Sequence, residues 1–558
     1  MTNYTSIGEG GFTPTLNTNN TYQYAGSVQY TRGAHSLKIG GDLARRLVAV
    51  SQSPDPRGAF NFSPNFTNDP AASVATNGNS LATMLLGFPT GTTRNKFLIH
   101  PGYIYTETDG YIQDDWRVNR WLTLNPGMRW EYFSPLIEQH DRISTLDFTT
   151  QKLMFAGQNG VSRSLNVKKD WNNFAPRFGF AATVNRKTVI RGGFGITFQP
   201  LFQGTPGSFR NAPYSSSLAI TPTSLMPINK ISDGLPIPAP NSTTNLSGVQ
   251  YIVSSEFVTP YSMQYNIALQ RQLPFDLFLT TSFVSSLGRK LSIPNGSIEA
   301  DGVSPGIGTV ANRRVYFSTL PNVTNMPTVR NFYNSSYQSM QNTLKHTFAH
   351  GMSANVNHTW SHNIDNAEAR YVAFNQIEAI RGSATNDLRH RVTITMSWDL
   401  PFGRKSKNFY NQAIRNWRVN ALGTIRTGFP FAVSQAAGRT NGATGPDRPD
   451  AISDANSGTQ TWSRWFNTAA FAPQTLYTWG SEGRNILNYP GTWNFNSSIH
   501  REFHLRERFT LQFRVETFDT TNTVHPNNPG IQLGGPNFGV ITTLNGSRQT
   551  QFALKILF

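Results

Sequence analysis

The stretch Arg508-Phe509-Thr510-Leu511-Gln512-Phe513-Arg514-Val515-Glu516-Thr517-Phe518-Asp519 decides the reading of this chain. Phe509, Leu511, Phe513 and Val515 fall on every second position, and Arg508, Thr510, Gln512, Arg514 and Glu516 occupy the positions between. Successive side chains of a strand point to opposite faces, so the segment is a strand with one apolar and one strongly polar face. Arg391 to Leu400 repeats the pattern, with Val392, Ile394, Met396, Trp398 and Leu400 opposing Arg391, Thr393, Thr395, Ser397 and Asp399. Trp121 to Tyr132 does so again, with Arg129 and Glu131 on its polar side.

About fifteen such segments run along the chain, near residues 22–31, 36–47, 105–117, 121–133, 173–184, 187–198, 261–273, 276–287, 335–348, 351–363, 388–400, 415–428, 493–503, 507–519 and 548–558. Each is close to the ~9–11 residues that cross a bilayer at a tilt. Tight connections at Arg32–His35, Val118–Arg120, Asn185–Arg186, Pro274–Phe275, Ala349–His350 and His504–Arg506 alternate with long ones; Pro401–Ile414 is long for its class. Short turns on one side and long loops on the other are the rhythm of a membrane barrel. A soluble β-sandwich also alternates, but it has no reason to keep that rhythm or to crowd Trp, Tyr and Phe near its strand ends. The expected fold is therefore all-β, a transmembrane antiparallel barrel with short periplasmic turns and long extracellular loops.

Composition agrees. The chain has 558 residues, 12% of them aromatic, a formal charge of +17 and no cysteine. Thiolate metal sites, disulfides and cysteine nucleophiles are excluded together. No apolar run is long enough for a helical span, and a mean hydropathy of −0.39 is compatible with strands that alternate. The basic residues are scattered singly, which speaks against nucleic acid and suits attraction to phosphate-bearing lipid headgroups. The first and last segments both run toward the short-turn side. They would meet in parallel at closure, so at least one further strand is expected upstream.

Gly110-Tyr111-Ile112-Gln113-Asp114-Asp115-Trp116-Arg117-Val118, followed by Leu122-Thr123-Leu124-Asn125-Pro126-Gly127-Met128-Arg129-Trp130, resembles a hairpin of TonB-dependent outer-membrane receptors. Ala175–Phe180, Arg191–Gly195, His358–Ser361 and Asp387–Arg391 resemble the Oar-like branch of that family. The resemblance implies a barrel of twenty-two strands around a plug, energised through TonB and moving a scarce nutrient inward. Against that pattern residues 1–558 are expected to be the C-terminal part of the barrel domain, without plug, TonB-contacting motif or signal peptide, hence a truncated copy or a partial gene model. The resemblance also implies that the barrel-assembly machinery reads the last strand, where Phe552, Leu554, Ile556 and Phe558 share one face.

No catalytic, cofactor or metal site is assigned. His358 and His362 share the strand face of Val356 and Trp360, an interfacial position that welcomes a ring with a polar edge. Asp454–Gly458 lacks the later glutamate of a calcium loop, and Gly8–Gly11 and Arg191–Gly195 do not lead into a helix as phosphate loops do. Ser80–Pro89 reads as a short loop helix ended by Gly and Pro, packing across the barrel mouth. The polar residues expected to line the lumen are Arg129, Glu131, Arg177, Arg391, Arg418, Arg426, Arg514 and Glu516. The reading is an importer barrel whose outer loops catch an extracellular ligand, in contact with outer-membrane lipid and lipopolysaccharide, with TonB engaged only through segments upstream. The alternatives are a structural or adhesive barrel that transports nothing, and a secreted soluble β-rich protein or enzyme.

Overall fold

The structure is a computed structural model that describes residues 4–558 apart from 70–77, 200–210, 223–225, 293–297, 300–302, 315, 330, 350, 367–380, 403–413, 437, 443–446 and 507–508. Fifteen long strands form one sheet: β1 Leu16–Arg32, β2 His35–Ser51, β3 Gly102–Arg117, β4 Leu122–Phe133, β5 Phe174–Asn185, β6 Thr188–Phe198, β7 Tyr261–Leu273, β8 Leu277–Leu291, β9 Tyr333–Ala349, β10 Met352–Asp365, β11 His390–Asp399, β12 Trp417–Arg426, β13 Thr492–Arg506, β14 Phe509–Phe518 and β15 Gln549–Leu557. Every expected segment is a strand. Each strand pairs antiparallel with the next in sequence, from β1–β2 through β14–β15. Among the described residues β1 and β15 each have one long neighbour, and the sheet is open between them.

The strands reach further than alternation alone indicates. β1 and β2 pair from Leu16↔Ser51 to Arg32↔His35, although Asn17 to Thr21 carries no apolar alternation. Pairing there continues beyond the apolar band, where water solvates both faces and the period-two signal is no longer imposed.

The sheet is a single layer. Tyr24, Val28, Phe178, Ile267, Phe552 and Leu554 lie on its apolar face and stay exposed, at 72%, 73%, 45%, 51%, 71% and 68%. Among the described residues no second sheet covers that face, as a sandwich would require. A contiguous apolar surface of this extent belongs against lipid. Two close approaches on this face depend on glycine. Phe180 stands opposite Gly192 and Phe495 opposite Gly423, and a Cβ on either glycine would lie 2.7 Å and 2.5 Å from the facing ring.

Packed cores lie in the long connections instead. Leu136, Ile143, Leu165 and Val167 pack with Val253, Phe257 and the outer end of β3 at Tyr103. Leu146, Leu153, Leu246, Ile252, Val323 and Met326 join three connections in a second core. Phe431, Val433, Phe466, Phe471 and Leu487 form a third, with Ile531, Leu533 and Phe538 packed against it. Tight turns close the other end, as at Gly33–Ala34, where Gly33 takes φ +58°. The β13–β14 turn at 507–508, with the Arg508 of the opening stretch, lies outside the described residues, as does most of the long connection Pro401–Ile414.

The helix expected near Ser80 is present as α1, Ser80–Leu85. The Asn79 side chain accepts from the backbone N–H of Leu81 (2.8 Å) and Ala82 (3.3 Å), and Gly87 follows with φ +77°. It packs on residues 64–67 of its own loop, with Thr83 buried and Thr67 Oγ1 3.2 Å from Thr83 Oγ1. Leu85 and Leu86 remain exposed.

Candidate functional site

The register places the eight expected lumen residues on one face, opposite the apolar one. Arg129 and Glu131 share it with Tyr111 and Asp109 across β3–β4. Arg177 lies beside Gly127, Arg418 faces Asp399, Arg426 faces Arg391, and Arg514 and Glu516 face His500 and Ser498.

On β3–β4 two carboxylates, Asp109 and Glu131, stand directly opposite one another. Like charges so placed repel. The Arg129 guanidinium lies between them, donating to Asp109 at 2.7 Å and approaching Glu131 at 2.9 Å, with its centre 5.8 Å from the Tyr111 ring. Arg46 donates to Glu107 at 2.9 Å and the Gln23 amide to Asp42 at 2.5 Å, extending the network onto β2 and β1. Gln23, Asp42, Glu107, Asp109, Arg129 and Glu131 line a hollow of about 590 Å3. Arg177 lines a second of about 490 Å3 with Lys38, Gln113 and Asp115.

Further along the same face Arg418 pairs with Asp399, and Arg514 lies 3.4 Å from Glu516. Arg391 and Arg426 differ. They face each other in register at the long-loop end of β11 and β12, and no ion pair joins either to a carboxylate among the described residues. Arg426 Nε donates to Thr492 Oγ1 at 2.9 Å, and its guanidinium lies 5.1 Å above the Phe429 ring. Beside it opens a cavity of about 1100 Å3, walled by Thr427, Phe429, Phe431, Tyr489 and Asn527. The Phe431 and Tyr489 rings stack at 4.3 Å.

Several anchoring groups lie outside the strand pattern and so escaped it. Asp387, 3% exposed, accepts from the Asn363 N–H at 2.7 Å and lies 2.9 Å from His362 Nδ1, tying the connection before β11 onto β10. Arg484 binds Asp365 across the mouth. Glu138 is fully buried and accepts from the N–H groups of Gly102, His140 and Arg142. Burial pushes its carboxyl up, but these donors and the Arg142 guanidinium together hold it below the ordinary glutamate value. Only the Asp387 anchor had a signal in the sequence, as the first residue of Asp387–Arg391.

That motif is half of a pair. Trp360 faces His390 and Thr359 faces Arg391, while Arg177 to Gly179 face Gly195 to Gly193. The four motifs Ala175–Phe180, Arg191–Gly195, His358–Ser361 and Asp387–Arg391 are thus two cross-strand contacts. His358 Nε2 lies 3.3 Å from His390 Nδ1 on the outward face, near the Trp360 ring, as an interfacial girdle requires. Among the described residues no group of three or more His, Asp or Glu side chains is placed to hold a metal. Asp454 accepts from the Asn456 N–H at 2.9 Å in a polar turn.

The family model for the outer membrane beta barrel domain matches residues 1–551. The chain belongs to this outer-membrane β-barrel family. Its apolar face therefore meets the lipid of the cell outer membrane. In solved structures the barrel is similar to the outer membrane transporter YddB from Escherichia coli, at 9% identity and a TM-score of 0.49, covering 97% of this chain and 54% of that one. It is also similar to the ferripyoverdine receptor of the outer membrane of Pseudomonas aeruginosa, at 9% identity and a TM-score of 0.45, covering 97% and 48%. A third is the siderophore receptor PiuA from Acinetobacter baumannii, at 9% identity and a TM-score of 0.42, covering 97% and 56%. The barrel spans about half the length of these chains. No curated protein matches it in sequence.

Proposed function

We infer that the chain is barrel wall and outer mouth of a TonB-dependent importer of the Oar-like branch. Its loops capture an extracellular ligand, and the polar face, with Arg129, Glu131, Arg177, Arg391, Arg418, Arg426, Arg514 and Glu516, lines the path inward. The observation that carries this reading is the asymmetry of the two sheet ends. One end has tight turns, whereas the other carries loops with their own apolar cores, the third of them beside a cavity of about 1100 Å3. Structured loops over a polar wall suit capture and passage. The TonB-dependent class rests on the hairpin of Gly110–Val118 and Leu122–Trp130, and the branch on its two paired motif contacts. Lipopolysaccharide and the barrel-assembly machinery are the partners that an outer-membrane site of action supplies.

The test compares three strains: one producing the full polypeptide, one lacking the gene, and one lacking the energising TonB protein. Mass spectrometry follows which solutes disappear from the medium. A solute taken up only when gene and TonB are both present supports import. Equal uptake in all three, with an external partner still bound at the surface, favours the structural or adhesive reading.

A further inference from the structure

We propose that Arg391 and Arg426 form a site for an oxyanion group, borne by a ligand whose flat or apolar body lies against Phe429, Phe431 and Tyr489. The site deepens the importer reading and rests on it for the assignment of this end as the ligand-facing mouth. Two arginines directly opposite on neighbouring strands repel, and such a pair is normally relieved by an acid. At three other places on this face an arginine has such an acid: Arg129 lies between Asp109 and Glu131, Arg46 takes Glu107, and Arg418 takes Asp399. At Arg391 and Arg426 there is none among the described residues.

Three acids of the neighbouring segments, among them Asp365 in the wall of the cavity beside Arg426, are already engaged. Asp365 binds Arg484, Asp387 binds His362, and Glu482 accepts from the buried Val433 N–H at 2.6 Å. Arg426 spends only its Nε on Thr492, which leaves the paired Nη edge for a planar carboxylate or phosphate. Arg426 itself lines the large cavity, so an anion held there projects the rest of its molecule toward the stacked Phe431 and Tyr489 rings. Arginine for the charge and aromatic faces for the body make one amphipathic site.

The experiment uses the full polypeptide in detergent micelles, with 1-naphthoate as probe and 1-naphthalenemethanol as its neutral counterpart, followed by calorimetry. Naphthoate is expected to bind saturably and to weaken about tenfold or more in the double variant Arg391→Gln/Arg426→Gln. The double variant Arg391→Lys/Arg426→Lys should recover part of the affinity, and Lys169→Gln, an exposed loop charge, should leave it unchanged. Should the double glutamine variant fail to fold, each single variant carries the same expectation at smaller size. Absent naphthoate binding, equal affinity for the neutral alcohol, or affinity indifferent to both arginines would overturn the site. Loss of TonB-dependent uptake with arginine-dependent binding intact would count against the importer reading alone.

Discussion

Substituting arginine along β11 and β14 tests both the faces and their depth. Ile394 lies near the middle of β11 and has Val356 and Gly423 as its neighbours in register on the apolar face. A strand tilted as in outer-membrane barrels descends about 2.5 Å per residue, which puts Ile394 roughly 10 Å from the outer end of its strand and near the midplane. Ile394→Arg should therefore cost about 2–4 kcal/mol, or about 30- to 900-fold in the unfolding equilibrium. Leu511 shares the apolar face but lies two residues from the start of β14, about 5 Å from the inner end, so Leu511→Arg should cost only about 0–1 kcal/mol. Thr395 is the neighbour of Ile394 on the polar face, between Asn355 and Leu422. Thr395→Arg should stay within about 0.5 kcal/mol. The assay is reversible denaturant unfolding of the full polypeptide in lipid vesicles, followed by tryptophan fluorescence. Equal losses at Ile394 and Thr395 would show that the faces are misassigned, and a larger loss at Leu511 than at Ile394 would sink the depth argument.

The loop anchored by Glu138 should respond to acid. Its carboxyl is held below the ordinary 4.5, so its contribution is full above that pH and is lost as pH falls through the lowered value. Hydrogen exchange at Gly102, His140 and Arg142 should accelerate there, and Glu138→Gln should exchange fast at every pH. Phe558 is 97% exposed, so its deletion should lower outer-membrane insertion without lowering the stability of protein already inserted. Normal surface levels of the polypeptide lacking Phe558 would dispose of the assembly signal. Residues 1–558 reconstituted alone in vesicles should oligomerise or aggregate, and a monodisperse species with stable single-channel conductance is the contrary result.

The strands were legible because a bilayer imposes the same rule on every crossing: apolar outside, polar inside, period two. Where that rule stops, so does the signal, as at Asn17–Thr21 on β1. The loop cores were not legible, since Leu146, Ile252 and Met326 meet from three separate connections and no local period links them. The polar face was visible residue by residue, but its electrostatics were not. Arg129 and Arg391 look alike in sequence, and only the structure shows that one lies between two carboxylates and the other faces an arginine. Glu138 and Asp387 gave no periodic signal because both lie in connections outside the long strands, where they accept from backbone N–H groups, Glu138 from His140 and Asp387 from Asn363 of β10.

The open seam follows the same logic of register. Direction reverses at each step of the sheet, so β1 and β15 run the same way. Joining them directly would make a parallel seam in a barrel of odd strand number, whereas bacterial single-chain barrels close with an even one. A second copy related by an axis along the membrane normal meets the same objection, because β15 of one copy would lie parallel to β1 of the other. Antiparallel closure therefore needs an odd number of intervening strands. Left open, each edge presents to hydrocarbon about five N–H and five C=O groups over the ~10 residues within the bilayer, each costing several kcal/mol. The total, of the order of tens of kcal/mol, exceeds the roughly 5–15 kcal/mol by which folded proteins are usually stable. In the membrane the edges of β1 and β15 must consequently be paired, and any strand that pairs with them would continue the alternation seen at Tyr22 and Tyr24 on one side and at Phe552 and Leu554 on the other.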